Sequence, residues 1–110
     1  MRIQLKKEGG FAFLPGLSRP VTIDTKDLTL DEAKELERLV EEANFFQLPD
    51  VADQPPSGAA DFLRYTMTVE DGGQAHTVVF TQFNKNPNLQ ALRRFLESKG
   101  LPRSNKGLTS

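Results

Sequence analysis

Apolar and polar positions alternate from the first residues of the chain. Ile3 and Leu5 fall on one side and Arg2, Gln4 and Lys6 on the other, which predicts a half-buried strand over residues 1–7. Val21-Thr22-Ile23-Asp24-Thr25 repeats the alternation after Pro20, and the two segments are expected to pair antiparallel. Residues 8–19 between them are too many for a tight hairpin turn. The period then changes. Thr29-Leu30-Asp31-Glu32 reads as a capping box, in which the threonine hydroxyl and the glutamate carboxylate each accept from the other residue's amide. The helix that follows places Ala33, Leu36, Leu39, Val40 and Ala43 on one stripe, with Glu35, Glu37, Arg38, Glu41 and Glu42 outside. It is expected to stop near Asn44, because Phe45-Phe46 break the period and Pro49 forbids continuation.

Residues 50–60 form a Pro/Gly/Ser/Asp-rich connector with no period. Residues 62–70 predict a strand with Leu63, Tyr65, Met67 and Val69 on one face. Asp71-Gly72-Gly73 signals a hairpin turn, and a return strand over residues 75–82 turns Val78 and Phe80 to the core. Asn86-Pro87 reads as an N-cap followed by proline at the first helical position. Leu89, Leu92, Phe95 and Leu96 line the second helix, and Gly100 stops it. The order β-β-α-β-β-α predicts an α+β fold: one domain over residues 1–101, a four-stranded mixed sheet, two helices on one face, and a loose tail over residues 102–110. If the first strand ascends, residues 8–19 lie at the upper end. The second strand descends and the first helix climbs back, so residues 48–61 are expected at the upper end too, with the Asp71 hairpin at the lower.

Composition narrows the function classes. At 110 residues, 37% hydrophobic and 26% charged, the chain suits one ordinary core. A net charge of -1 gives no basic stripe for nucleic acid or an anionic membrane, so neither is expected as a partner. No apolar run approaches the roughly 18 residues that span a bilayer, and the start lacks a secretory h-region. A cytoplasmic monomer is expected, with non-classical export left open. The absence of cysteine removes disulfide and thiol chemistry.

The chain has one histidine, His76, on a strand, where packing is the usual role, and one histidine without cysteine cannot build the common structural zinc sets. No phosphate loop, nucleophile elbow or paired metal-ligand motif is present, so neither an enzyme nor a cofactor is expected. The chemistry that stands out lies in the loops. Phe11, Ala12, Phe13, Leu14 and Leu17 sit between Gly9-Gly10 and Pro15-Gly16, a bracketing that suggests presentation to a partner rather than folding back on the core edge. The connector carries Asp50, Asp53 and Asp61, each suited to turn or cap chemistry and each able to offer a carboxylate beside the apolar finger. Carboxylate oxygen is a normal zinc ligand, and a catalytic zinc keeps one position open.

Beyond these local signals the chain resembles the emfourin-like inhibitors of protealysin and related thermolysin-like metalloproteases. The resemblance is carried by Gly9-Gly10-Phe11-Ala12, by Asp24-Thr25 with Leu28, and by Ala43-Asn44-Phe45-Phe46-Gln47-Leu48-Pro49. It continues through Gly58-Ala59-Ala60-Asp61-Phe62, Tyr65, Thr68-Val69-Glu70-Asp71-Gly72-Gly73 and His76-Thr77-Val78. It implies inhibition of a thermolysin-like zinc protease without catalysis by the chain itself. Joined to the loop reading, it gives a protease-binding set of Phe11, Ala12, Phe13, Leu14, Asp53 and Asp61. Asp61 is then expected at the target's zinc, with Asp53 second and Asp50 third. The rival expectation is a non-inhibitory regulatory module that binds another protein through the same loops.

Overall fold

The computed structural model describes residues 1–9, 20–59 and 62–100. The predicted alternations become four strands, β1 (Arg2–Gly9), β2 (Val21–Asp24), β3 (Leu63–Asp71) and β4 (Gln74–Thr81), in the sheet order β2-β1-β3-β4. Every neighbouring pair is antiparallel, where a mixed sheet was expected. The reason is topological: ascending β1 lies between the two descending strands β2 and β3, so no two like-directed strands touch. Among the described residues the parallel pairing is confined to an isolated bridge, Val51↔Val79, between the connector and β4.

One face of the sheet is apolar at every second position. Ile3, Leu5, Ile23, Tyr65, Met67, Val69, Val78 and Phe80 are all buried there. The helices α1 (Leu30–Glu42) and α2 (Pro87–Gly100) cover that face with Leu36, Leu39, Val40, Leu89, Leu92 and Leu96, all in one cluster. The other face carries Arg2, Gln4, Lys6 and Arg64 and is exposed at those residues. Both predicted caps form. Thr29 Oγ1 accepts from the Glu32 amide and Glu32 Oε1 from the Thr29 amide, each at 3.1 Å. Asn86 Oδ1 accepts from the amides of Asn88 and Leu89 at 3.0 and 3.2 Å.

Helix α1 ends as expected but for a different reason. Asn44 adopts φ 54°, a left-handed conformation that asparagine tolerates, and turns the chain into a 3₁₀ turn, Phe45–Gln47. Phe45 becomes core, 1% exposed, against His76 with ring centroids 5.7 Å apart. His76 Nε2 lies 2.7 Å from the Leu48 carbonyl, so this histidine packs and ties down the connector's start.

The climb back up the sheet is also not made by the helix. The C-terminal end of α1 lines a groove with Met1, Asp71 and Gln74, residues of the lower end. The ascent belongs to the connector, which rises along the outer edge of β4. Asp50 accepts from the Val79 amide at 2.7 Å, the Ala52 amide donates to the Val79 carbonyl at 2.8 Å, and Asp53 reaches Thr81. The connector therefore starts lower than expected, and its second half enters the upper end. The helices are tied to each other and to the sheet by Lys99–Glu32 and Lys7–Glu97 ion pairs.

Candidate functional site

The strand register fixes what meets at the upper end. Gly9, from which residues 10–19 depart, pairs with Leu63, where the connector returns to the sheet. The approach there is close: a Cβ on Gly9, whose φ is +90°, would lie 2.4 Å from the Phe62 carbonyl oxygen. The roots of the two loops are therefore neighbours, as expected, and the hairpin Asp71–Gln74 lies at the opposite end, beside Arg2. Gly72 and Gly73 supply the positive φ (57° and 89°) that such a two-residue turn requires.

Phe11, Ala12, Phe13, Leu14 and Asp61 lie outside the described residues. The other two candidate carboxylates have defined places. Asp50 is exposed on the rising part of the connector, held by its backbone carbonyl. Asp53 is half-buried, with both carboxylate oxygens engaged by Thr81 and Asn84.

A third segment joins this end. The turn from β4 into α2 brings up Phe83, which is 40% exposed and packs on Phe62 with centroids 6.4 Å apart. The Arg64 guanidinium sits 5.7 Å from the centroid of the Phe62 ring. Between this turn and the connector lies a groove of about 470 Å³ walled by Leu48, Pro49, Ala52, Pro56, Phe83 and Leu89. Sequence reasoning passed over Phe83, although the signal that flagged Phe11 was there: an aromatic residue among polar turn residues, Gln82-Phe83-Asn84-Lys85-Asn86. Gln82 fastens this turn to the connector's end, since its side-chain oxygen accepts from the Leu63 amide at 2.7 Å.

Among the described residues, perturbed groups lie on α1 and in the core. The Lys99 ammonium, followed by the Thr29 amide, holds the Glu32 carboxyl down to about 2. Burial raises the Tyr65 hydroxyl above its ordinary value, although the Arg93 guanidinium over its ring opposes this. Among the described residues no group of three or more His, Cys, Asp or Glu could hold a metal ion, and no helix is long and apolar enough to cross a membrane.

These features define a small α+β domain in which the roots of two loops meet at one end of the sheet. The sequence profile of the Emfourin family matches residues 5–97 of the 110-residue chain, and the chain belongs to that family. The matched span runs from β1 into α2 and encloses both loops. No curated protein and no solved structure matches the chain. Membership of the family suggests a metalloprotease-inhibitor role.

Proposed function

We propose that this protein inhibits a thermolysin-like zinc metalloprotease of the protealysin kind by filling its active-site cleft with two adjacent loops. The observation that carries the reading is the family match over residues 5–97, which contains both loops whole. The pairing of Gly9 with Leu63 supports it, because it roots the loops side by side. Phe11, Ala12, Phe13 and Leu14 form the apolar finger, and each bulky side chain buried in a pocket contributes about 1.5–3 kcal/mol of transfer free energy. Asp61 offers its carboxylate to the open position of the protease's zinc. Asp61 is placed ahead of Asp53 because the Asp53 carboxylate already accepts from Thr81 and Asn84, and those bonds would have to break first. Asp50 is the remaining alternative. The chain binds as a monomer and needs no cofactor of its own.

Titrating a thermolysin-like protease with the purified protein tests the reading. Activity should fall linearly to a one-to-one end point, and a nanomolar constant would correspond to about 12 kcal/mol of binding free energy. No inhibition at micromolar protein across several such proteases would refute it and leave a non-inhibitory interaction module.

A further inference from the structure

The connector is a poor candidate for a rigid segment by composition, with Pro55-Pro56-Ser57-Gly58 at its centre. Its course is nevertheless pinned, and the pin is Asp53. Oδ1 accepts from the Thr81 amide at 2.9 Å and from Asn84 Nδ2 at 3.1 Å, and Oδ2 accepts from the Thr81 hydroxyl at 2.5 Å. The anchor itself is buried: Thr81 is 2% exposed at the end of β4, and its hydroxyl oxygen also accepts from the Phe83 amide at 3.1 Å. Asn84 is held in turn, since its Oδ1 accepts from the amide of Asn86, the residue that caps α2. Asp53 thus joins the connector to a strand end and a helix start through one buried-edge carboxylate. Charge-assisted bonds of this kind are about twice as strong as neutral ones.

We propose that Asp53 is a positioning residue that keeps the connector from being cleaved by the protease it blocks. The proposal rests on the inhibitor reading above. A segment is cut when it can open locally and lie extended through a protease cleft, and the rate follows the free energy of that opening. A connector of prolines, glycine and serine that enters a protease cleft is a substrate unless something holds its path. The Asp53 bonds hold it from the β4 side, just as the Gln82–Leu63 bonds hold its far end. The same restraint removes conformational freedom before binding, which favours tight association.

The test uses the full chain with a stoichiometric thermolysin-like protease, followed by intact mass spectrometry and residual activity over time. The parent should stay whole and inhibition should hold. Asp53→Ala should inhibit at first and then release activity as it is cut between residues 48 and 62, about tenfold or more faster than the parent. Asp53→Asn keeps an oxygen for the Thr81 amide and Asn84, and should stay whole and inhibitory. That rescue separates a latch from a carboxylate that contacts zinc, which Asn and Ala would abolish alike. Asn84→Asp keeps the acceptor for the Asn86 amide but turns a second carboxylate towards Asp53. It should be cut at an intermediate rate, and it answers the question should Asp53→Ala fail to fold.

An uncut, fully inhibitory Asp53→Ala overturns the proposal, as does an Asp53→Asn that loses inhibition as completely as Asp53→Ala. A parent that inhibits no such protease defeats the inhibitor reading instead. Subtilisin digestion then reads the latch alone: faster cutting of Asp53→Ala within residues 48–62 supports it, and equal rates overturn it.

Discussion

Gly9→Ala reports on both the fold and the site, because Gly9 sits where the two loops leave the sheet. Its φ of +90° is one that residues with a Cβ rarely adopt, and the new methyl would lie 2.4 Å from the Phe62 carbonyl oxygen. Backbone strain of this kind costs of order 1–3 kcal/mol. The contact with Phe62 cannot be relieved by a rotamer change, since the obstacle is backbone; the ends of β1 and β3 must part. For a domain of this size each kcal/mol lowers Tm by roughly 4–8 °C, so a fall of roughly 5–20 °C is expected in a thermal melt followed by circular dichroism. Gly72→Ala is the control. It also has positive φ, +57°, but a Cβ there meets nothing within 4 Å. It should lose about 1–2 kcal/mol at most, with no effect on inhibition. Gly9→Ala, assayed where it remains folded, should in addition weaken inhibition about tenfold or more, equivalent to about 1.4 kcal/mol lost by displacing the loop roots. If Gly9→Ala melts no lower than Gly72→Ala and inhibits like the parent, the close approach of Gly9 to Phe62 does not govern the site.

Four further outcomes are expected. Replacing Phe13 and Leu14 by Ala should weaken inhibition with little change in Tm, whereas residues packed in the core would each cost about 2–5 kcal/mol of stability. Asp61→Asn should raise the inhibition constant by roughly tens-fold and Asp50→Asn should leave it unchanged, since removing the charge removes a good zinc ligand; identical constants for both would sink the zinc contact. Asn86→Ala should lower stability by about 0.5–2 kcal/mol in urea unfolding through loss of the α2 cap, and an unchanged midpoint would contradict the two amide bonds it makes. Glu32, held near 2 against an ordinary 4.5, has a depressed folded value, so its stabilisation is present above pH 4.5 and is lost as pH falls from there towards 2. The stability difference between the parent and Glu32→Gln should shrink across that window, and a nuclear magnetic resonance titration midpoint near 4.5 would refute the pairing with Lys99.

Much of this fold was legible because its signals are local. The Thr29/Glu32 box, the Asn86 cap, the Gly72-Gly73 turn and the period-two faces of β1, β3 and β4 each lie within a few residues, and each formed. The misread elements depend on partners far along the chain. Phe45 broke the helical period and so looked like an interruption, yet it is core because the left-handed Asn44 swings it under His76. The connector's ascent along β4 was invisible because its bridge joins Val51 to Val79 by backbone bonds that no side-chain pattern announces. For Asp53, turn chemistry was the expected local role of an aspartate; its actual donors, Thr81 and Asn84, are 28 and 31 residues away. The meeting of the loop roots was expected, but by a count that gave the first helix the climb the connector makes. The same count carried one step further would have brought Phe83 to that end.

The strap along β4 has a consequence for the protein's behaviour in concentrated solution. Outer strands invite other chains to add on through their unpaired amides and carbonyls. Here the Val79 amide and carbonyl are taken by Asp50 and Ala52, and the Thr81 amide by Asp53. The opposite margin, β2, is four residues long, too short to template much of a neighbour. A chain severed in the connector would lose more than a binding loop. Once the strap lifted away, the spent molecule would bare the flank of β4, leaving the Val79 and Thr81 backbone groups open to pairing with another chain's edge.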